Sequence, residues 1–335
     1  MNSNVVQFPV TLTDPQISLL QSIGATYLAV WHKQTYAFLP RLHEMLERQA
    51  KFFIRNVEGF RDNALLVRTK IESSGLSDII ENIKGLEDPE DVAEYLNAGE
   101  DVISSITTAL SRKTGALKRV LIDVGALGVY DVSRDLTRYQ DELAKLEKDQ
   151  PARTRELEAH EGKLADLNAS IKVLEAANLE ALFAGSVPSS QQIKDAAAMI
   201  ASGGVSVEAV ENAIKQIGEL IGNVLEGMRY SMILDQRRDL QKIISELNTT
   251  LREMDKKKGD TQNYCDRLGE YASLAEQREQ WRAAFDKIVQ QLVPVERQFA
   301  AYQITSLESL MAVQSSISDL HAFVRKVLDD FRAGH

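Results

Sequence analysis

The sequence predicts an all-α protein: an elongated helical bundle with a long antiparallel coiled-coil stalk and an apolar helical hairpin at its tip. Three observations predict it. Ala, Leu, Glu, Gln, Lys and Arg, the residues that favour helices, fill the chain, while aromatics make up only 6% of it and prolines number seven. Apolar residues recur at spacings of three and four along two separate stretches, which is the pattern of a coiled-coil seam. Between those stretches lies an insert that has no aromatic residue from Ala184 to Arg229.

The first element starts at Thr13-Asp14-Pro15, with Asp14 as the N-cap and Pro15 at the first helical position, where its missing N–H costs nothing. A long helix is expected from about 15 to 72, kinked at Pro40. Tyr27, Trp31, Tyr36, Phe38, Phe52, Phe53 and Phe60 make this the most aromatic part of the chain and read as bundle core. Asp88-Pro89-Glu90-Asp91 repeats the cap chemistry and Asn97-Ala98-Gly99 reads as a stop, so a short connecting helix is expected between them.

From Leu136 the seam runs through Tyr139, Leu143, Leu146, Gln150, Arg153, Leu157, His160, Leu164, Leu167, Ile171 and Leu174. This arm would be about 58 Å long. Gln150, Pro151, Arg153 and His160 predict a polar or kinked joint in its middle. The same spacing returns in Ile233, Leu240, Ile244, Leu247, Leu251 and Met254, so the two arms are expected to form an antiparallel pair. Lys256 to Lys258 with Gly259 read as a solvated break, and a further helix is expected from about 261 to 331, interrupted or kinked at Pro294. The resulting organisation is 1–135 and 261–335 as the N- and C-terminal helices of one bundle, 136–175 and 231–260 as stalk arms, and 176–230 as an apolar hairpin.

Within the insert, Gly185 to Ser190 with Pro188, and Ser202-Gly203-Gly204, supply two turns. The stretch from Ser206 to Arg229 reads as one helix with Val210, Ala213, Ile214, Ile217, Leu220, Ile221, Val224 and Met228 on its apolar face; Met199 and Ile200 precede it with the same character. Glu208, Glu211, Lys215, Glu219 and Glu226 gather on the opposite face. Three glycines in such a helix are costly, at roughly 1 kcal/mol each relative to Ala. Gly218 and Gly222 stand four apart, the spacing that lets two helix backbones approach closely. A helix of this length would be sufficient to cross a hydrocarbon layer of about 30 Å.

Charge and motifs narrow the function. With 335 residues, 44% of them hydrophobic, and a net charge of −10, the chain suits a globular protein and not a nucleic-acid partner. Cys265 is the single cysteine, so neither an internal disulfide nor a cysteine-based zinc site is available. His32, His43, His160, His321 and His335 are scattered, and His43-Glu44-Met45-Leu46-Glu47 lacks the second histidine of a zinc-protease helix. No phosphate-binding loop, dinucleotide fingerprint or nucleophile elbow occurs, so the expectation is a non-enzyme without cofactor or metal. The start, MNSNVVQFPVTLTDP, has neither a basic nor an apolar signal region, which predicts that it is not a Sec signal peptide. No run reaches the 18 or so apolar residues of a constitutive membrane span.

Taken together, the aromatic N-terminal helix, the two coiled-coil arms and the apolar hairpin between them resemble the α-helical pore-forming toxins of the cytolysin A type. Within these the chain is most similar to the smaller B component of the binary alpha-xenorhabdolysin family. The resemblance implies a soluble form that hides its hairpin against the bundle. On meeting a target-cell lipid membrane and a larger A subunit it refolds, and the two assemble as a hetero-oligomeric ring. It further implies that the apolar faces of about 164–184 and 206–228 form the spanning hairpin, with 185–205 as its translocated tip. Glu208, Glu211, Glu219 and Glu226 would face the lumen, where carboxylate rings favour cations. The alternative reading of the same residues is a non-enzymatic coiled-coil scaffold or tether whose hairpin docks another protein.

Overall fold

The computed structural model describes residues 12–222 and 226–333. In chain order its helices are α1 (Ile17–His32), α2 (Pro40–Glu72), α3 (Leu76–Lys84), α4 (Pro89–Ala126), α5 (Ser133–Ala176), α6 (Leu179–Leu182), α7 (Ser190–Asp195), α8 (Ala197–Ser202), α9 (Val207–Ile221), α10 (Tyr230–Ala301) and α11 (Leu307–Ala333). They divide into two compact units, one holding the described residues up to Val132 and from Arg267 on, the other Ser133–Asp266. The all-helical expectation holds: among the described residues the only extended pairing is a single isolated bridge.

The first unit is a bundle around an aromatic centre. Trp281 stacks on Phe285 with ring centroids 4.9 Å apart, Phe53 packs on Trp281 at 4.9 Å, and Tyr27 meets Phe53 edge-on at 5.0 Å. All four side chains are buried, each contributing roughly 1.5–3 kcal/mol or more of transfer free energy. Tyr27 also donates its hydroxyl to the Leu274 carbonyl at 2.5 Å and Tyr36 donates to the Arg267 carbonyl at 2.9 Å, so the rings are oriented as well as buried. The aromatic stretch is therefore core, with Trp31 and Phe38 only half-buried.

Several predicted boundaries move, each for a local reason. Helix α1 starts after Gln16, not at Pro15; the Asp14 carboxylate still accepts a backbone bond, from Gln16 N at 3.1 Å. Pro40 ends nothing and kinks nothing: it is the first residue of α2, where a proline is favoured, and a turn separates it from α1. Asp88 caps α4 as expected, accepting from Glu90 N at 2.9 Å, but α4 runs straight through Gly99 to Ala126. Gly99 is a packing residue, since a Cβ there would come within 2.8 Å of Leu310 Cδ1. Pro294 lies inside α10, and the break falls later, between Ala301 and Leu307.

The chain leaving α4 is held by side chains from buried positions. Arg278 Nη2 donates to the carbonyls of Val124 and Leu127, both at 2.7 Å, and its other nitrogen contacts Glu279. Gln49 donates to the Gly128 carbonyl at 2.9 Å, and the Tyr271 hydroxyl accepts from Tyr130 N at 3.2 Å. Carbonyls that a helix end leaves without partners are thus satisfied without solvent.

In the second unit, α5 and the first part of α10 run antiparallel. From Tyr139 with Tyr264 to Gln150 with Asp255 the position in α10 falls as that in α5 rises, and the bridges of Glu142 with Lys257 and Glu147 with Lys258 lie between these two pairs. The seam residues of α5 are half-buried from Leu136 to Leu164 and fully buried only from Leu167 on. Arg153 is the exception. It is exposed and paired with Glu156 at 2.7 Å, and Thr154 takes its place in the seam. Pro151 lies within α5 and does not end it. The lysine run with Gly259 is no break either, because α10 is continuous there and Lys257 and Lys258 bridge the arms.

Candidate functional site

The insert between the arms builds its own core. Leu167, Ile171 and Leu174 of α5 meet Ile193, Ile200, Val210, Ala213 and Ile217, with Tyr230 and Ile233 at the start of α10. Local chemistry sets its short helices. Asn178 in the left-handed region follows the end of α5. Ser189 and Gln192 form a reciprocal capping box that starts α7, and the Ser206 hydroxyl accepts from Ala209 N at 3.1 Å to start α9. In this form the stretch of about 164–184 comprises the end of α5 and the short α6.

The apolar face expected for α9 exists and is turned inward. Ile200, Val210 and Ile217 have no measurable exposure, while Ile214, Leu220, Ile221 and Met228 pack against that core. Met199 does the opposite, standing 56% exposed on α8. Val224 lies outside the described residues. One polar tie crosses this apolar contact, from Ser170 Oγ on α5 to Gln216 Oε1 on α9 at 3.0 Å. Neither residue carried a sequence signal, because a serine at a seam edge and a glutamine on a helix are each unremarkable until the fold joins them.

The acidic face points away from the core. Glu208, Glu219 and Glu226 are exposed and Glu211 is half-buried; Lys215 pairs with Glu219 at 3.9 Å. A solvated pair of this kind is worth little.

The glycines divide by role. Gly218 is half-buried within α9, and its carbonyl accepts the Gly222 N–H at 2.8 Å. Gly222 is not a close-packing residue of a long helix: at φ +74° it is the left-handed C-cap that ends α9 at Ile221. The helix is therefore about 22 Å long and not the length expected from Ser206 to Arg229. Among the described residues no helix is long and apolar enough to cross a membrane. Gly185 and Gly204 occupy left-handed turn positions, at φ +78° and +76°. Gly203 has φ −82° and is small for a different reason: a Cβ there would stand 2.6 Å from the Ala176 carbonyl oxygen. Pro188 is buried beside Val187.

Tyr230, which ends the insert, has its hydroxyl buried with no hydrogen-bond partner, and burial pushes its pKa up to about 12, with Glu175 and Glu180 adding to the shift. Among the described residues no group of three His, Cys, Asp or Glu is placed to hold a metal ion.

No protein-family model and no curated protein matches this sequence. Solved structures do match, along the whole chain. XaxB from Xenorhabdus nematophila superposes with a TM-score of 0.78 at 17% identity, over 96% of this chain and 99% of its own. PaxB from Photorhabdus luminescens gives 0.68 at 14% identity, over 97% and 98%. A chain of the XaxAB pore complex from Xenorhabdus nematophila gives 0.67 at 15% identity, over 98% and 100%. The fold of this chain is that of XaxB and PaxB.

Proposed function

We propose that this chain is the B-type component of a two-part α-helical pore-forming cytotoxin, which oligomerises with a larger A subunit in the membrane of a target cell. The observation that carries the reading is the inward-facing apolar side of α9, sealed on α5 by side chains such as Val210 and Ile217, in a fold shared with a chain of a pore complex. An apolar helix face stored against its own protein is a second binding surface in waiting. It exchanges one apolar neighbour for another when lipid is supplied, and the exposed acidic side remains in water.

In this reading the paired arms are the stalk, the bundle formed by the first and last helices is the tail, and residues 176–230 are the part that enters the bilayer. Gly222 ends α9 in the present form and Gly227 also has a positive φ, so spanning requires the helix to lengthen beyond Ile221. Glu208, Glu211, Glu219 and Glu226 then line the lumen and make the pore weakly cation-selective.

The test is dye release from liposomes with this chain, with the larger component, and with both. Release by the pair alone supports the proposal, and a reversal potential on the cation side supports the lumen assignment. No release by any combination favours a scaffold, and an anion preference removes the glutamates from the lumen.

A further inference from the structure

The insert is closed at its base by a ribbon of backbone bonds. Val187 N donates to the Met228 carbonyl at 2.8 Å, Gly227 N to the Val187 carbonyl at 2.9 Å, and Tyr230 N to the Gly185 carbonyl at 2.8 Å. Ser186 and Arg229 face each other as the antiparallel bridge pair. They are flanked by these bonds and exchange none themselves, which is the closer of the two antiparallel pairings, with Cα atoms about 4.5 Å apart.

Val187 opposes both Gly227 and Met228, and Gly227 has φ +76°. This is the two-against-one arrangement of a G1 bulge, whose first residue must enter the left-handed region. Gly227 is therefore no more a helix glycine than Gly222 is. On the facing side Ala184 and Gly185 also have positive φ, at +50° and +78°. Side chains next to the ribbon, Val187 and Tyr230, are 4% exposed and belong to the insert's core. A two-stranded ribbon this short is marginal in water alone, so ribbon and core depend on one another.

We propose that this ribbon is a clasp: while Gly185–Val187 holds Gly227–Tyr230, the chain leaving α9 is fixed beside the start of α10 and the apolar face of α9 stays on α5. Opening the clasp is the step that frees α9. That α9 is then taken up by lipid rests on the pore reading above; the clasp itself does not. Apolar burial alone would let α9 rock off α5 from either end. The clasp makes its release conditional on breaking three backbone bonds at one place.

Two variants test this, both in the full-length chain. Gly227→Val puts a β-branched residue at a left-handed position, at a cost that shifts the opening equilibrium by about 5- to 30-fold. Amide exchange of Val210, Ala213 and Ile217 in solution should accelerate by that factor while the α5 amides near Leu143 do not change. The second variant, Ser186→Cys with Arg229→Cys in a Cys265→Ala background, joins the bridge pair by a disulfide whose geometry that spacing allows. Oxidised, it should slow exchange across α9 and abolish dye release from phosphatidylcholine–cholesterol liposomes in the presence of the larger component, and dithiothreitol should restore both. Unchanged exchange in both variants overturns the clasp, as does full release by the oxidised protein. If the reduced protein with its partner releases no dye, the pore reading fails, and the exchange data still decide the clasp.

Discussion

The α-carbon of Gly203 lies so close to the end of α5 that a methyl group on it would sit 2.6 Å from the carbonyl oxygen of Ala176. The α8–α9 turn is thereby seated on the last residue of α5, and backbone faces backbone with no side chain to yield. Gly203→Ala is expected to destabilise the second unit by about 1–3 kcal/mol through overpacking. Chemical denaturation followed by circular dichroism measures it, and an unchanged midpoint would show that the turn is not seated there.

Ile217 and Met199 are both apolar residues of the insert, yet they predict opposite outcomes. Ile217 is fully buried, so Ile217→Asp leaves an uncompensated charge in the core and should cost about 3–5 kcal/mol. Met199 is exposed, so Met199→Asp should change stability by no more than about 0.5 kcal/mol. If the proposed function is right, Met199→Asp still lowers liposome permeabilisation, because its side chain is stable in water and unwelcome in lipid. Denaturation midpoints set beside dye release separate the two effects.

The charged contacts also differ in what they hold. Lys257 is exposed and Lys258 half-buried where they bridge to Glu142 and Glu147, so replacing both by Ala should cost no more than about 1 kcal/mol, less in high salt. Arg278 is 5% exposed and supplies two bonds to the end of α4. Arg278→Met should cost about 3 kcal/mol, and Arg278→Lys should not restore it, since one ammonium lacks the fork that reaches both carbonyls. Thermal unfolding of the three variants against the parent checks the order.

Two buried tyrosines predict an alkaline limit. Burial pushes Tyr36 and Tyr230 up to about 12, against an unfolded value near 10. The folded chain therefore holds protons that the unfolded chain releases, so this stabilisation is complete below pH 10 and lost as pH rises from 10 towards 12. Tyr230→Phe should flatten that loss and cost nothing at pH 7, because its hydroxyl has no hydrogen-bond partner. Tyr36→Phe should be destabilising at pH 7, since it gives up the bond to Arg267. Urea midpoints between pH 7 and pH 11.5 would show the difference, about 1 kcal/mol for one neutral hydrogen bond.

Much of the fold was legible because helices announce themselves by period. The seam from Leu136 to Leu174, apart from Arg153, its return from Ile233 to Met254, and the cap at Asp88-Pro89 appear in the structure where spacing and cap chemistry put them. Breaks were harder to read, because a proline or glycine has a meaning only in its surroundings. Pro40 opens a helix while Pro151 and Pro294 sit inside two others, and Gly99 accommodates Leu310 while Gly222 stops α9. In the insert the apolar face of α9 was legible from periodicity, but its length was not. Its limit is set by a left-handed residue, and a glycine's φ is invisible in a hydrophobic wheel. The ribbon of Gly185–Val187 with Gly227–Tyr230 had no signal at all, since neither segment alternates long enough to read as a strand.

That ribbon also places the entrance and exit of the insert side by side. A segment whose two ends are neighbours can be lengthened, shortened or exchanged without moving the helices that carry it. The arms and the bundle are in this sense a chassis, and the insert a cartridge: sequence drift can retune what it meets while the fold that presents it is left alone. It follows that insertions and deletions between homologous chains should concentrate between Pro188 and Glu226, and that the paired residues on either side should tolerate none.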